Sequence, residues 1–143
     1  MKDDNCIFCK VDSKEFNGKR LVYKNENIVI FLSISPTKPG HVLIIPSDHF
    51  ETIWETPDEL LKDIILYVKK MALIVKEVTK ADGINIGVNN GKAAGQEIKH
   101  VHFHVVPRHF GDGLKLMPPG EISEEELIKY TESIKERFFE KYL

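Results

Sequence analysis

The chain has 143 residues, with 20 Lys and Arg against 22 Asp and Glu and a formal charge of -2 at pH 7. A hydrophobic content of 42% and a charged content of 29% are ordinary for a globular protein, and the length suits a single domain over residues 1–143. The balanced charge argues against a nucleic-acid-binding protein, and no apolar run approaches the roughly 20 residues that cross a bilayer. The polar N-terminus lacks a signal-type apolar stretch, so we expect a cytoplasmic protein with neither nucleic acid nor membrane as a partner.

Close to the N-terminus, Cys6 and Cys9 form a C-x-x-C pair and are the only cysteines in the chain. In a cytoplasmic protein such a pair is more typical of metal binding or redox chemistry than of a structural disulfide. A gap of two residues lets both thiolates bind one tetrahedral ion. A redox pair and two small core residues are the alternatives at this point.

Short apolar segments then predict three strands, at residues 21–23, 28–32 and 41–45. An Asn17-Gly18 turn signal precedes them. A fourth strand is predicted at residues 84–89.

Two amphipathic helices are predicted, each from a capping signal. Thr56 and Glu59 have the spacing of a capping box, with a proline at the first helical position, and helical apolar spacing then continues towards Gly83. The second helix is predicted to begin at Ser123, with Glu126 completing a second capping box. The apolar stripe of this second helix consists of Leu127, Tyr130, Ile134 and Phe138.

A histidine-rich segment follows the fourth strand and a glycine-containing loop at 91–95. His100, His102 and His104 alternate with apolar residues. A strand sends successive side chains to opposite faces, so three imidazoles share one face while the apolar residues face a core. Imidazole acts as nucleophile, general acid or base and metal ligand near neutral pH, and the pattern therefore indicates a chemical surface rather than packing alone.

The order of strands, helix, strands and helix predicts an α+β fold. We expect a single-domain antiparallel sheet of about five strands with two main helices segregated to one side.

The histidine segment, the approach segment at 89–98 and the segment at 39–46 together resemble the histidine triad family of nucleotide hydrolases and transferases, in its zinc-containing bacterial-type branch. The resemblance extends from Cys6 to about Arg108. It implies an antiparallel sheet with two helices, and a homodimer whose sheets join across the interface.

The resemblance implies catalytic roles for four residues. His102 would attack the α-phosphate of a purine nucleotide conjugate, and water would then open the covalent nucleotidyl-histidine to release a nucleoside monophosphate. His104 would contact the phosphate and leaving-group side, offsetting charge as an imidazolium or together with Lys92. His41 would support the triad, and Gln96 would donate to the phosphate or the bridging oxygen.

The resemblance also implies a nucleotide site around these residues. Gly95 permits close backbone approach to a phosphate, and its carbonyl is expected to fix the tautomer of His102. Ser33 stands where phosphoramidase relatives often carry an aspartate that binds the ribose hydroxyls, so ribose recognition should differ. Glu97 is an acid whose side chain is expected to point away from the anion. In addition to Gln96, His102 and His104, the implied nucleotide-binding residues are Phe8, Val11, Phe31, Ser33, Ile34, Leu43, Asn89 and Gly95; residue type alone favours core packing for the apolar ones.

For the metal, the resemblance implies a ligand set of Cys6, Cys9, His49 and His100, the four positions that zinc-containing members use. A closed Cys₂His₂ site leaves no coordination position for substrate, so the zinc would be structural. His109 is expected to be a surface loop residue.

Two substrate classes stay open at this stage: nucleoside phosphoramidates and dinucleoside polyphosphates. The alternative from another class is a zinc-stabilised nucleotide-binding module with little turnover. A nucleophile at His102 argues against that alternative, because binding alone does not require one.

Overall fold

A computed structural model of the chain describes residues 1–11, 19–115 and 117–143. Tertiary contacts divide the chain into two compact units, Met1–Asp112 and Gly113–Leu143. A single domain over residues 1–143 stays a prediction, and the Asn17-Gly18 turn lies outside the described residues. Among the described segments, no helix has both the length and the apolar character needed to cross a membrane.

The first unit contains one five-stranded sheet. Every neighbouring pair of strands is antiparallel, in the order β1-β2-β3-β5-β4. The four strands predicted from apolar runs agree with the structure to within one residue at each end. The strands are β1 (Leu21–Lys24), β2 (Ile28–Leu32), β3 (Val42–Pro46), β4 (Gly83–Val88) and β5 (Phe103–Arg108). The predicted α+β fold with an antiparallel sheet is confirmed.

One face of the sheet packs against the helix α1 (Asp58–Thr79). Val101, Phe103 and Val105 belong to this core together with Ile64 and Val68 of the helix. The apolar half of the alternating pattern is therefore buried as predicted, which leaves the histidines for the opposite face.

The strand observed at the histidine segment is shorter than the predicted one, because β5 begins at Phe103 and leaves His100 and His102 outside it. The amide of Val101 donates to the carbonyl of Phe50 at 2.7 Å, and the amide of His100 donates to Ile98 at 2.9 Å. These backbone groups bond to loops rather than to β3 or β4, so His100 and His102 precede the regular ladder.

The opposite face of the sheet is covered by the N-terminal segment. A short 3₁₀ helix, Phe8–Lys10, lies there, and the ring of Phe8 contacts that of Phe31 edge-on at 5.3 Å between centroids. The buried residues of this second core are Cys6, Phe8, Cys9, Val11, Val29, Phe31, Leu43 and Ile45.

The start of α1 differs from the prediction. Thr56 does not cap the helix, because its hydroxyl donates to the carbonyl of Thr52 at 2.9 Å. Pro57 occupies the N-cap position, where no side chain caps the helix. A local turn has taken the hydroxyl that the capping box required. At the other end, Lys80 adopts a left-handed conformation with φ of 53°, so α1 ends before Gly83.

The second unit contains α2 (Glu124–Tyr142). The amide of Glu126 donates to Ser123 Oγ at 3.2 Å, and the Glu126 carboxylate accepts from the Ser123 amide at 3.2 Å. The predicted capping box is confirmed.

Gly40 is required where the chain enters β3. Its φ is +90°, and a Cβ placed there would lie 2.6 Å from Cγ2 of Thr79. We expect Gly40→Ala to lower the free energy of unfolding by about 1–3 kcal/mol, because the left-handed conformation and the contact are both unfavourable to alanine. Urea denaturation measures this loss.

The steric part of that effect has its own test. Thr79→Ser removes the methyl group but keeps the hydroxyl that donates to the Val75 carbonyl at 2.6 Å, so it should restore part of the stability in the double variant. Gly83→Ala is the matched control, since no atom lies within 4 Å of its added Cβ. An equal loss in Gly40→Ala and Gly83→Ala would contradict this explanation.

Candidate active site and metal centre

Three histidine rings lie in a row on the sheet face opposite α1. The ring centroids of His102 and His104 are 4.9 Å apart, and those of His104 and His41 are 5.1 Å apart. His104 is opposite Leu43 of β3 and Gly87 of β4, so it lies between two neighbouring strands rather than at an edge of the sheet. His41 and His102 are buried.

Hydrogen bonds assign the tautomers along this row. The amide of Thr37 donates to Nδ1 of His41 at 3.0 Å, so the proton of His41 is on Nε2. That nitrogen lies 2.9 Å from Nδ1 of His104 and donates to it. The proton of His104 is therefore on its Nε2, a buried atom that has no hydrogen-bond partner within residues 1–11, 19–115 and 117–143. A buried N–H without a partner is unfavourable, and a bound ligand would satisfy it.

The tautomer of His102 is fixed by a different group. Its Nδ1 lies 2.6 Å from the carbonyl oxygen of His100 and donates to it, which leaves the lone pair of Nε2 available. The expectation that the Gly95 carbonyl performs this role is wrong, because the bend before β5 brings the carbonyl two residues earlier in the chain to His102. The arrangement is that of a neutral imidazole prepared to act as a nucleophile.

Burial keeps these rings neutral. It lowers the pKa of His41 and of His102, and it lowers the pKa of His104 to about 4, with the neighbouring His102 and His41 adding to the effect for His104. The hydrogen bond to the His100 carbonyl opposes the shift for His102. At pH 7 the free protein therefore holds His104 as a neutral N–H donor. The imidazolium form that the family resemblance implied would place a second proton on the Nδ1 atom that accepts from His41.

Gln96 is buried between two loops. Its Oε1 accepts from the Gly91 amide at 2.8 Å, and its Nε2 donates to the Glu51 carbonyl at 2.6 Å. Both ends of the amide thus join the loop before the histidines to the loop after β3. In the free protein Gln96 is a positioning residue rather than an exposed donor.

Most of the apolar residues predicted to line a base pocket lie together beside the histidines. The ring of Phe8 stands edge-on to that of His102, with 5.1 Å between centroids. Four of the five belong to one buried cluster, in which they pack as a core: Phe8, Val11, Phe31 and Leu43. Ile34 is 38% exposed and does not belong to that cluster.

The remaining polar residues of the predicted nucleotide site occupy two places. Ser33 is buried at the end of β2, and its Oγ accepts from the Ser35 amide at 3.2 Å. Asn89 directly follows β4, and a Cβ on Gly95 would lie 3.6 Å from its Nδ2. His109, as predicted, is exposed in the turn after β5.

Beneath the histidine row, Cys6, Cys9, His49 and His100 form a compact cluster. One ligand atom from each lies within 4.8 Å of all the others. Cys9 Sγ is 3.4 Å from His49 Nδ1 and 3.5 Å from His100 Nδ1, and Cys6 Sγ is 3.5 Å from His100 Nδ1. Tetrahedral zinc with bonds of about 2.3 Å to sulfur and about 2.0–2.1 Å to nitrogen separates S and N ligands by about 3.5 Å, so the donor set fits such an ion.

The groups around the cluster also suit a metal. Nε2 of His100 donates to the Pro46 carbonyl at 3.0 Å, which leaves Nδ1 free to bind the ion. The Asp3 amide donates to Cys9 Sγ at 3.4 Å. Burial raises the pKa of the Cys9 thiol, and a bound cation opposes that shift by stabilising the thiolate.

Sequence reasoning missed the backbone partners of the imidazoles. The tautomers of His41, His100 and His102 are set by three backbone groups: the Thr37 amide, the Pro46 carbonyl and the His100 carbonyl, respectively. Any residue carries these groups, so the sequence contains no signal for them.

The sequence pattern of the HIT domain matches residues 14–111, which is more than half of the chain. The chain belongs to the HIT family. It is 42% identical to an uncharacterized HIT-like protein of Methanocaldococcus jannaschii over 130 residues, 91% of this chain and 98% of that protein. It is 41% identical over 106 residues to the adenosine 5'-monophosphoramidase of Saccharomyces cerevisiae, 74% of this chain and 64% of that protein.

Solved structures of HIT proteins share the fold. A HIT family protein of Bacillus subtilis matches with a TM-score of 0.81 and 35% identity, covering 94% of this chain and 97% of the other. A Zn-bound histidine triad protein of Mycobacterium smegmatis matches with a TM-score of 0.69 and 31% identity, covering 93% and 97%.

Proposed function

We propose that this HIT protein is a nucleotidyl hydrolase or transferase that attacks the α-phosphate of a purine nucleotide conjugate through His102 and releases the nucleoside monophosphate. One observation carries the proposal: the Nδ1–H of His102 is held by the His100 carbonyl at 2.6 Å, so Nε2 keeps its lone pair. The phosphoramidase activity in the name of the yeast relative supports nucleoside phosphoramidates as substrates, with dinucleoside polyphosphates as the other class.

In the first step the Nε2 lone pair of His102 forms a bond to the α-phosphorus. The bond from phosphorus to the leaving atom breaks, and its electron pair goes with the leaving group. The His102 ring becomes cationic, and its Nδ1–H stays on the His100 carbonyl. The leaving group takes up a proton, which for a phosphoramidate gives a free amine.

His104 is the group placed to contact the phosphate and the leaving group. Its Nε2–H is buried and has no partner among the described residues, so it is available for a phosphoryl oxygen or the leaving atom. Because Nδ1 of His104 accepts from the Nε2–H of His41, the ring stays neutral and its Nε2–H stabilises the developing charge through a hydrogen bond. The proton that the leaving group takes up comes from solvent. His41 holds His104 in this orientation through the 2.9 Å hydrogen bond.

In the second step water attacks the phosphorus and the P–Nε2 bond breaks. The electron pair returns to Nε2 of His102, and the proton that water loses replaces the one that the leaving group took. Division of one displacement into two is the general advantage of covalent catalysis. The apolar cluster around Phe8, which contacts the His102 ring, is the side we assign to the base.

We assign Cys6, Cys9, His49 and His100 to one structural zinc ion. Zinc bound there would cross-link the N-terminal segment to the histidine segment, and a closed four-ligand site leaves the ion no part in binding substrate. His100 belongs to both sites, because its ring faces the cysteines and its carbonyl orients His102.

The proposal includes a cytoplasmic homodimer. β4 is an edge strand, and an apolar cleft of about 370 Å³ lies between it and α1, lined in part by Leu73, Ile84 and Ile86. An exposed edge beside apolar surface suits pairing with a second copy. Sedimentation should show a dimer that Ile86→Lys weakens by at least roughly tenfold in Kd; a monomeric wild-type protein at micromolar concentration would contradict it.

The function is tested by turnover of adenosine 5′-phosphoramidate, diadenosine tri- and tetraphosphate and their guanosine analogues. We expect release of the monophosphate, with an adenylyl group trapped on His102 in a rapid quench. Tight binding of AMP without any turnover would instead favour the nucleotide-binding module.

A further inference from the structure

A cleft of about 560 Å³ with charged side chains in its lining lies at the loops that precede the histidine segment. Its lining residues are Glu51, Lys92, Gly95, Gln96, Glu97 and Lys99. We propose that this cleft receives the leaving group and that Glu97 is a specificity-determining residue, selecting amine leaving groups that carry positive charge over polyphosphates. This inference rests on the proposed function, since a leaving group exists only if His102 attacks the nucleotide.

Strand pairing and backbone hydrogen bonds locate the cleft beside the segment that carries His102. β4 and β5 pair Gly87 with His104 and Val88 with Phe103. The amide of Val101, the residue before His102, donates to the Phe50 carbonyl at 2.7 Å, and Gln96 Nε2 donates to the carbonyl of the next residue, Glu51, at 2.6 Å. Glu51 and Gln96 of the cleft lining are therefore joined to the backbone beside His102. Gly95 extends the lining towards the residue after β4, because a Cβ on Gly95 would lie 3.6 Å from Asn89 Nδ2.

The two flanks of His102 differ in chemistry. On the β2–β3 side, Phe8 contacts the His102 ring at 5.1 Å between centroids and packs against Phe31. On the β4 side, the cleft carries four charged side chains. A purine base suits the apolar flank, so a substrate whose α-phosphate lies at His102 extends its other half into the charged cleft.

Charge in the cleft is balanced rather than positive. Lys99 Nζ lies 3.8 Å from Glu51 Oε1, which leaves Glu97 and Lys92 as a carboxylate and an ammonium without an ion pair in the part of the chain that the structure describes. A polyphosphate leaving group carries several negative charges and would need an excess of cations. The carboxylate of Glu97 repels such a group and attracts a protonated amine.

Glu97 also follows a fixed backbone position. Gln96 is buried, its side chain joins the Gly91 amide to the Glu51 carbonyl, and its own amide donates to the Gly91 carbonyl at 3.1 Å. The carboxylate therefore stands on an anchored segment at the cleft. The expectation that the Glu97 side chain points away from the anion stays a prediction, and the position of Glu97 in the cleft lining is what supports the proposed role.

The test compares three substrates on the purified full-length protein: AMP joined through a P–N bond to a diamine with a free ammonium group, AMP joined in the same way to a neutral alkylamine of similar length, and diadenosine tetraphosphate. We expect the wild type to have the highest kcat/KM for the cationic conjugate and the lowest for the tetraphosphate. Glu97→Gln should lower the ratio of kcat/KM for the cationic conjugate to kcat/KM for the tetraphosphate roughly tenfold, the effect of one charge pair near the surface. About 0.5 M salt should reduce the difference in this ratio between wild type and variant. Glu26→Gln is the matched control, an exposed glutamate in the turn between β1 and β2, and should leave the ratio unchanged.

The outcomes separate this inference from the function on which it rests. Release of AMP from all three substrates with the same ratios in wild type and Glu97→Gln overturns the role of Glu97 and leaves the hydrolase intact. A wild-type preference for the tetraphosphate also overturns it. No AMP release from any substrate overturns the proposed function and this inference together.

Discussion

His102→Ala should release AMP at least roughly 10⁴-fold more slowly than the wild type, a loss of the size seen when a catalytic nucleophile is removed. Neither neighbouring histidine of the row has the same combination of an available lone pair and a fixed second nitrogen. The Nδ1 atoms of His41 and His104 each accept a hydrogen bond, and their Nε2 atoms carry protons. The adenylyl group should be absent from the quenched variant. The quench must be neutral or alkaline, because a P–N bond to imidazole is labile in acid.

A second variant separates chemistry from packing. His102 is buried and its ring contacts Phe8, so alanine leaves a small cavity that costs about 1–3 kcal/mol. His102→Asn keeps an N–H for the His100 carbonyl but supplies no nucleophilic nitrogen, and it should be equally inactive with a smaller loss of stability. His109→Ala, at an exposed histidine after β5, should keep full turnover.

Two results would contradict the assignment of the nucleophile. One is turnover by His102→Asn within roughly a hundredfold of the wild type, which is far above what a residual binding contribution supplies. The other is an adenylyl group recovered on a different residue.

The main features of the fold were predictable because they depend on side-chain patterns. The alternation of Val101, Phe103 and Val105 with the histidines predicted which side of the segment enters the core, and the structure places all three there. Ser123 and Glu126 predicted the start of α2 correctly, since each side chain accepts from the backbone amide of the other residue. The same motif failed at Thr56, because the Thr52 carbonyl is within reach of its hydroxyl.

The candidate site was less predictable, because much of it is built by backbone groups and by distant residues. The direction of the hydrogen-bond chain through His41 and His104 depends on the Thr37 amide, and an amide has no residue signature. Gln96 has the right type for a phosphate donor, yet its amide is used between two loops. His49 is 40 residues from Cys9 along the chain, and nothing in that spacing indicates proximity.

Purified protein should contain about one zinc per chain, and Cys9→Ala should lose it together with about 10 °C or more in Tm. The size of the effect follows from what the four ligands connect. Cys6 and Cys9 belong to the N-terminal segment that covers one face of the sheet, while His100 lies immediately before β5. Removing the ion leaves that segment held by its apolar contacts and by the exposed contacts of Met1 with Asp48 and His49. It also leaves two buried thiols where a cross-link existed.

Elemental analysis and calorimetry measure these two quantities, and two controls keep the result specific. Wild-type protein stripped with a chelator should have the same Tm as Cys9→Ala. When zinc is returned, only the wild type should recover its original Tm, which separates the loss of metal from the loss of the side chain. His109→Ala should keep both zinc and Tm.

Because the Nε2–H of His100 stays on the Pro46 carbonyl, the stripped protein below its Tm should keep turnover within roughly tenfold of the zinc-loaded protein. This is the range expected when only the support of a ligand is lost. Turnover that instead falls in proportion to zinc content would make the ion catalytic, and a purified protein with no zinc would remove the metal centre altogether.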